Sequence, residues 1–165
     1  MDKSETPTRT VVVGISGSES STKALAWAMD LAAANGWSVE AVTAWPEFGA
    51  VLVHDVPGHY CQPRASAVAA QARAIAAASS AVPVVPPVQR ILVNDSPVEA
   101  LLKRSDRARL VVVGTRFGAG PHHVGHPTVG EAVSRRARCP VVFVDQHARV
   151  HDLLDPARMS QEVGR

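Results

Sequence analysis

Aromatic residues are scarce in this chain: three Trp, three Phe and one Tyr make up 4% of it. Its interior must therefore be filled by Val, Ala and Leu, with the three Trp left for the larger gaps. Cysteine is scarcer still. Cys61 and Cys139 are too few for the disulfide framework that staples small secreted domains. A charge excess of one sign is also missing. Seventeen basic residues face 15 acidic ones, a formal net charge of +2, which argues against a nucleic-acid or anionic-membrane partner. No apolar run approaches the roughly 18 residues of a membrane helix. The stretch from Met1 to Thr10 is polar, carries Asp2 and Glu5, and lacks the apolar centre of a signal peptide. The expected address is the cytoplasm.

What is present is an alternation of short apolar blocks with helical periods, in 165 residues of which 46% are hydrophobic. Val11-Val12-Val13-Gly14-Ile15 is a continuous β-branched run, as in a strand buried on both faces. After a Ser/Gly turn, Leu25, Ala28, Met29 and Ala32 fall at helical spacing, a Ser caps the start near residues 20–21, and Gly36 stands past the end. Trp37 to Trp45 is a second strand, and residues 46–63 a long loop. Arg64 to Ala81 is an Ala-rich helix, and Val88 to Val93 a third strand. Pro97 opens a short helix through Ser105, and Leu110 to Gly114 is a fourth strand. Thr128 to Arg138 is the last long helix, with Arg135, Arg136 and Arg138 near its negative end. Pro140 to Val144 is the fifth strand. The alternation predicts one α/β domain over residues 10–145, a doubly wound five-stranded parallel sheet in three layers. Residues 1–9 are expected to be a disordered segment and 146–165 a polar tail.

In such a sheet ligands bind beyond the carboxyl ends of the strands, where the strand order reverses. The first and fourth strands each end in a glycine-bearing turn: Gly14-Ile15-Ser16-Gly17-Ser18 and Gly114-Thr115-Arg116-Phe117-Gly118-Ala119-Gly120. Glycine lets backbone approach a ligand, a helix N-terminus offers N–H groups to phosphate, and Arg116 adds a forked donor. The same glycines are equally explained by a tight turn alone.

The blocks at residues 11–18, Thr43-Ala44-Trp45-Pro46, Val111-Val112-Val113-Gly114-Thr115-Arg116 and Ala137 to Val144 resemble, in order and separation, the universal stress protein domain. The resemblance spans roughly residues 9–145. It implies a non-enzymatic regulatory module and an adenine nucleotide (ATP, AMP or cyclic AMP) as cofactor. Nucleotide-binding members carry Gly, two residues, Gly, nine residues, Gly, then Ser or Thr. Here Gly114 takes the first place, Phe117 the second, Pro127 the third and Thr128 the hydroxyl, with Gly118 able to recover part of the cradle. Ser16 stands where binders place Asp. Gly14, Ala44, Val113 and Val129 fall at the remaining adenosine-pocket positions. The resemblance thus implies a site of Gly14, Ser16, Ala44, Val113, Gly114, Arg116, Gly118, Pro127, Thr128 and Val129, with weakened binding because Pro127 lacks an N–H and Phe117 adds bulk. It also implies a homodimer through residues 140–144, whose apolar edge needs cover. In the competing arrangement the tail folds back, with Val150, Leu153 and Leu154 at helical spacing.

Other constellations are weaker. His122, His123 and His126, and separately His54, His59 and Cys61, could hold a transition metal, but without a regular scaffold they fit solvated histidines better. Ser16 to Ser21 is a poor match to an adenylating enzyme's pyrophosphate loop, and Gly14 to Ser18 is not a nucleophile elbow, which would need Gly at its last position. Cys139 reads as a small buried hydrophobe. Behind the nucleotide-binding module stand two further functions: an interaction protein that has lost the site, and an adenylating or hydrolytic enzyme.

Overall fold

The computed structural model describes residues 9–45, 62–116 and 127–152. The chain runs β1 (Thr10–Gly14), α1 (Glu19–Asn35), β2 (Ser38–Ala44), α2 (Gln62–Ala81), β3 (Val88–Val93), α3 (Pro97–Ser105), β4 (Leu110–Thr115), α4 (Val129–Arg136), β5 (Val141–Asp145) and β6 (Val150–Asp152). The sheet order is β3-β2-β1-β4-β5-β6. The five strands read from the sequence pair parallel, and the order reverses between β1 and β4.

The continuous apolar runs are explained by burial on both faces. Val11 and Val13 pack with Leu25, Met29 and Ala78 on the α1/α2 side. Val12, Val111 and Val113 pack with Leu101, Val133 and Phe143 on the α3/α4 side. α1 begins at Glu19, slightly ahead of the expected start, because the Ser18 hydroxyl caps it by accepting from Ser21 N at 3.2 Å. It ends at Gly36, whose φ of +66° suits glycine.

The expectation of five strands is corrected to six. β6 pairs antiparallel with β5, setting Val142 opposite Asp152, Phe143 opposite His151 and Val144 opposite Val150. The outer edge of β5, expected to lie open for a second copy, is therefore covered by residues assigned to the tail. The covering segment is a strand rather than the helix its spacing suggested; Leu153 and Leu154 lie outside the described residues.

A tight connection makes this return possible. Asp145 Oδ1 accepts from the N–H groups of His147 and Arg149 at 2.8 and 2.9 Å, and its Oδ2 meets His151 Nε2 at 3.0 Å. Ala148 takes the left-handed conformation at φ 59°. Burial raises the Asp145 pKa, but the hydrogen bonds from His151, Arg149 and His147 outweigh it and hold the carboxyl at about 2. A depressed pKa stabilises the fold above the unfolded value of 3.8 and withdraws that stability as pH falls through about 2. Cross-strand NMR contacts between Phe143 and His151 should therefore fade as pH falls from 4 to 2, roughly the window between those two values. In Asp145→Asn they should be weak throughout and show no such step.

Candidate functional site

The strand reversal opens a crevice at the carboxyl ends of β1 and β4. Gly14 lies opposite Val113, so the two chains leave the sheet side by side toward different helices. The resulting cavity, about 450 Å³, is bounded by residues from all three layers. That volume lies within the common range for small-molecule sites, on the order of 300–1,000 Å³.

Seven of the residues expected at the site line this cavity: Gly14, Ser16, Ala44, Val113, Gly114, Arg116 and Val129. Thr128 and Pro127 do not. Thr128 is instead the N-cap of α4, in a reciprocal capping box with Glu131. Its hydroxyl accepts from Glu131 N at 3.2 Å, and its own N–H donates to Glu131 Oε2 at 2.8 Å. The hydroxyl expected to face a ligand is thus engaged in starting the helix. Gly118 and Phe117 lie outside the described residues, as do His54, His59, Cys61, His122, His123 and His126. Among the described residues no group of three or more His, Cys, Asp or Glu is placed to hold a metal.

Gly114 has a packing role beside the one its motif suggests. A Cβ there would stand 2.5 Å from Ser21 N and 2.6 Å from Ser20 C. The bare Cα is what allows the first turn of α1 to seat against β4, so the residue shapes the wall of the cavity it lines. Gly130 does the same for the Phe143 ring. At Gly14 the neighbour is a side chain, Leu101, whose Cδ1 would lie 3.1 Å from an added Cβ.

Sequence reading missed two parts of the site. One is a run of hydroxyls: Ser16 Oγ lies 2.9 Å from Ser18 Oγ, which lies 3.2 Å from Ser20 Oγ. All three serines line the cavity. The other is the floor contributed by α3, where Pro97, Ala100 and Leu101 close the crevice from the opposite layer. The serine turn was read as a helix cap, with Ser16 alone placed in the site; the floor has no local signal, because it arises from packing between distant segments.

Cys139 is half-buried against the α3/α4 core, and burial pushes its thiol pKa up, as suits a small hydrophobe rather than a nucleophile. A larger cleft of about 740 Å³ flanks α3, where four of the lining charges pair with one another, Glu40 with Arg104 at 2.9 Å and Asp95 with Lys103 at 2.7 Å.

A reversed-order parallel sheet with a crevice at the switch point, faced by helix N-termini, defines a doubly wound α/β binding domain. The sequence model described as "Universal stress protein family" matches residues 7–145, and the chain belongs to that family. It is 36% identical over 134 residues to universal stress protein Rv2623 of Mycobacterium tuberculosis, covering 80% of this chain and 43% of the relative. Universal stress protein Rv2005c of the same organism is 36% identical over 137 residues, covering 82% and 45%. The chain thus spans less than half the length of these relatives. Among solved structures, a universal stress protein in complex with cAMP is 27% identical with a TM-score of 0.66, covering 86% of this chain and 99% of that one. A universal stress protein from Archaeoglobus fulgidus, 18% identical with a TM-score of 0.60, covers 81% and 91% and shares the fold.

Proposed function

We propose that the chain is a regulatory binding module that takes an adenine nucleotide in the β1/β4 crevice and carries out no chemistry on it. The observation that supports this most is the match between the crevice walls and the family's adenosine-pocket positions: Gly14, Ala44, Val113 and Val129 all line one cavity. The cAMP-bound universal stress protein, aligned over 99% of its length, adds to it. The non-enzymatic part is what the family resemblance implies; the described part of the lining offers hydroxyls and Arg116.

Binding should be weak for a nucleotide. Pro127 has no N–H, and the Thr128 N–H already serves Glu131. Each hydrogen bond to a charged group that is lost weakens binding by about 1.5–3 kcal/mol, roughly ten- to a hundredfold. Calorimetric titration of the full chain with AMP, cAMP and ATP tests the reading. Heat that saturates at one site supports it; no heat with any of them at millimolar concentration favours the second reading, an interaction protein without a nucleotide, to which the same capping box lends support.

The homodimer through residues 140–144 and a cytoplasmic setting remain part of the proposal, with one condition on the dimer. β6 occupies the edge of β5, so a two-fold pairing of β5 strands requires β6 to leave first. Sedimentation of the full chain at micromolar concentration tests this: a dimer supports the pairing and a monomer ends it, and His151→Pro, which removes the N–H that faces Phe143 in the β5/β6 ladder, should raise the dimer fraction.

A further inference from the structure

Three helices begin at the crevice, and each begins with its own carboxylate. α1 is capped by Ser18 and carries Glu19 in its first turn. α3 is capped by Ser96 and carries Glu99, and α4 is capped by Thr128 and carries Glu131. Helix N-termini favour anions because they expose N–H groups and the positive end of the macrodipole. Here part of both attractions is met internally. The cap hydroxyls accept from Ser21 N, Glu99 N and Glu131 N, and the glutamates neutralise the positive ends. Against them Arg116 is the one charged residue among the described lining. Arg136, at the far end of α4, is bound to Glu99 at 2.9 Å. What the cavity itself presents is apolar wall and hydroxyl: Val113, Ala44 and Leu101 on one hand, the linked hydroxyls of Ser16, Ser18 and Ser20 on the other. Such a surface suits a purine face and a ribose edge, and offers a chain of phosphates no cation but Arg116 among the described residues.

We infer that the crevice selects purine nucleosides and singly charged cyclic nucleotides over nucleoside polyphosphates, and that Glu131 is a specificity-determining residue. This rests on the adenine reading above and narrows its ligand class. Glu131 acts at the point where a phosphate would need the first amides of α4. Its carboxylate holds the Thr128 N–H at 2.8 Å, and its charge lies one residue beyond Gly130, which lines the cavity. A polyphosphate would have to displace that contact and also bear the repulsion; a nucleoside meets neither penalty.

The test is calorimetric titration of the full chain at pH 8, where histidines are neutral, with adenosine, cAMP and ATP, repeated on Glu131→Gln. Glutamine keeps an oxygen for the capping box, so α4 should still start at the same place. Adenosine and cAMP should bind wild type about tenfold or more tighter than ATP, and the variant should narrow that gap about threefold or more. ATP binding as tightly as adenosine would overturn the selectivity while leaving the adenine reading intact. A preference for adenosine unchanged in Glu131→Gln would overturn the role given to Glu131. No binding of any of the three would overturn the adenine reading and the inference together.

Discussion

Gly114→Ala should lower the melting temperature by roughly 10 °C, the effect of about 3 kcal/mol in a domain of this size. The added Cβ would stand 2.5 Å from Ser21 N, 2.6 Å from Ser20 C and 2.8 Å from Ser20 O. All three are backbone atoms, so no rotamer change relieves the contact. Either β4 or the first turn of α1 must move, and both belong to the packed interior: Val113 is 4% exposed and Ser21 2%. Moving α1 also breaks the hydroxyl chain from Ser16 through Ser18 to Ser20, so ligand binding should fall with stability. Differential scanning calorimetry checks the first effect. A melting temperature within about 2 °C of wild type would show that helix and strand are less tightly apposed than this packing requires.

Ala44→Phe should do the opposite: abolish binding and leave the fold standing. Ala44 closes β2 and lines the crevice beside Val42 and Val113. Its side chain is half-buried, packed against the α3/α4-side core on one side and bordering the crevice on the other. A phenyl ring there can occupy much of the space an adenine would fill, at a stability change of about 1 kcal/mol or less. Affinity for adenosine or cAMP should drop at least about a hundredfold, since a filled pocket forfeits most of the apolar contact that holds a base. Titration and melting curves on the same preparation separate the two effects. Retained affinity would mean that the base binds elsewhere.

These two positions also illustrate what the sequence made legible. The strands β1 and β4 were readable because a both-faces-buried strand leaves a continuous β-branched run, and Val11 to Val13 and Val111 to Val113 have it. The crevice followed from topology, because parallel connections leave a gap where the order reverses. The packing role of Gly114 was not readable: a glycine after a strand suits a ligand's approach or a helix's approach equally, and only the packed structure shows the helix seated on it. The capping role of Thr128 went unread for a related reason. Its register in the family motif pointed to a ligand hydroxyl, while the local pattern Thr128-Val129-Gly130-Glu131 also spells a capping box, in which the hydroxyl accepts from Glu131 N and keeps its own proton to donate. β6 escaped because three residues carry no detectable period. Its existence depends on Asp145 gathering the amides of His147 and Arg149, an arrangement set by geometry rather than by hydrophobic pattern. The floor from α3 lies far along the chain from the glycine turns it faces.

The central claim is that the β1/β4 crevice is where this universal stress protein meets its ligand, and an amide-resolved NMR titration with adenosine tests it most directly. The account predicts saturable shifts concentrated at Gly14, Ser16, Ala44, Val113, Gly114 and Gly130, with the cleft lined by Glu40, Asp95 and Arg104 unmoved. Shifts centred on that second cleft, or none at all at millimolar adenosine, would contradict it.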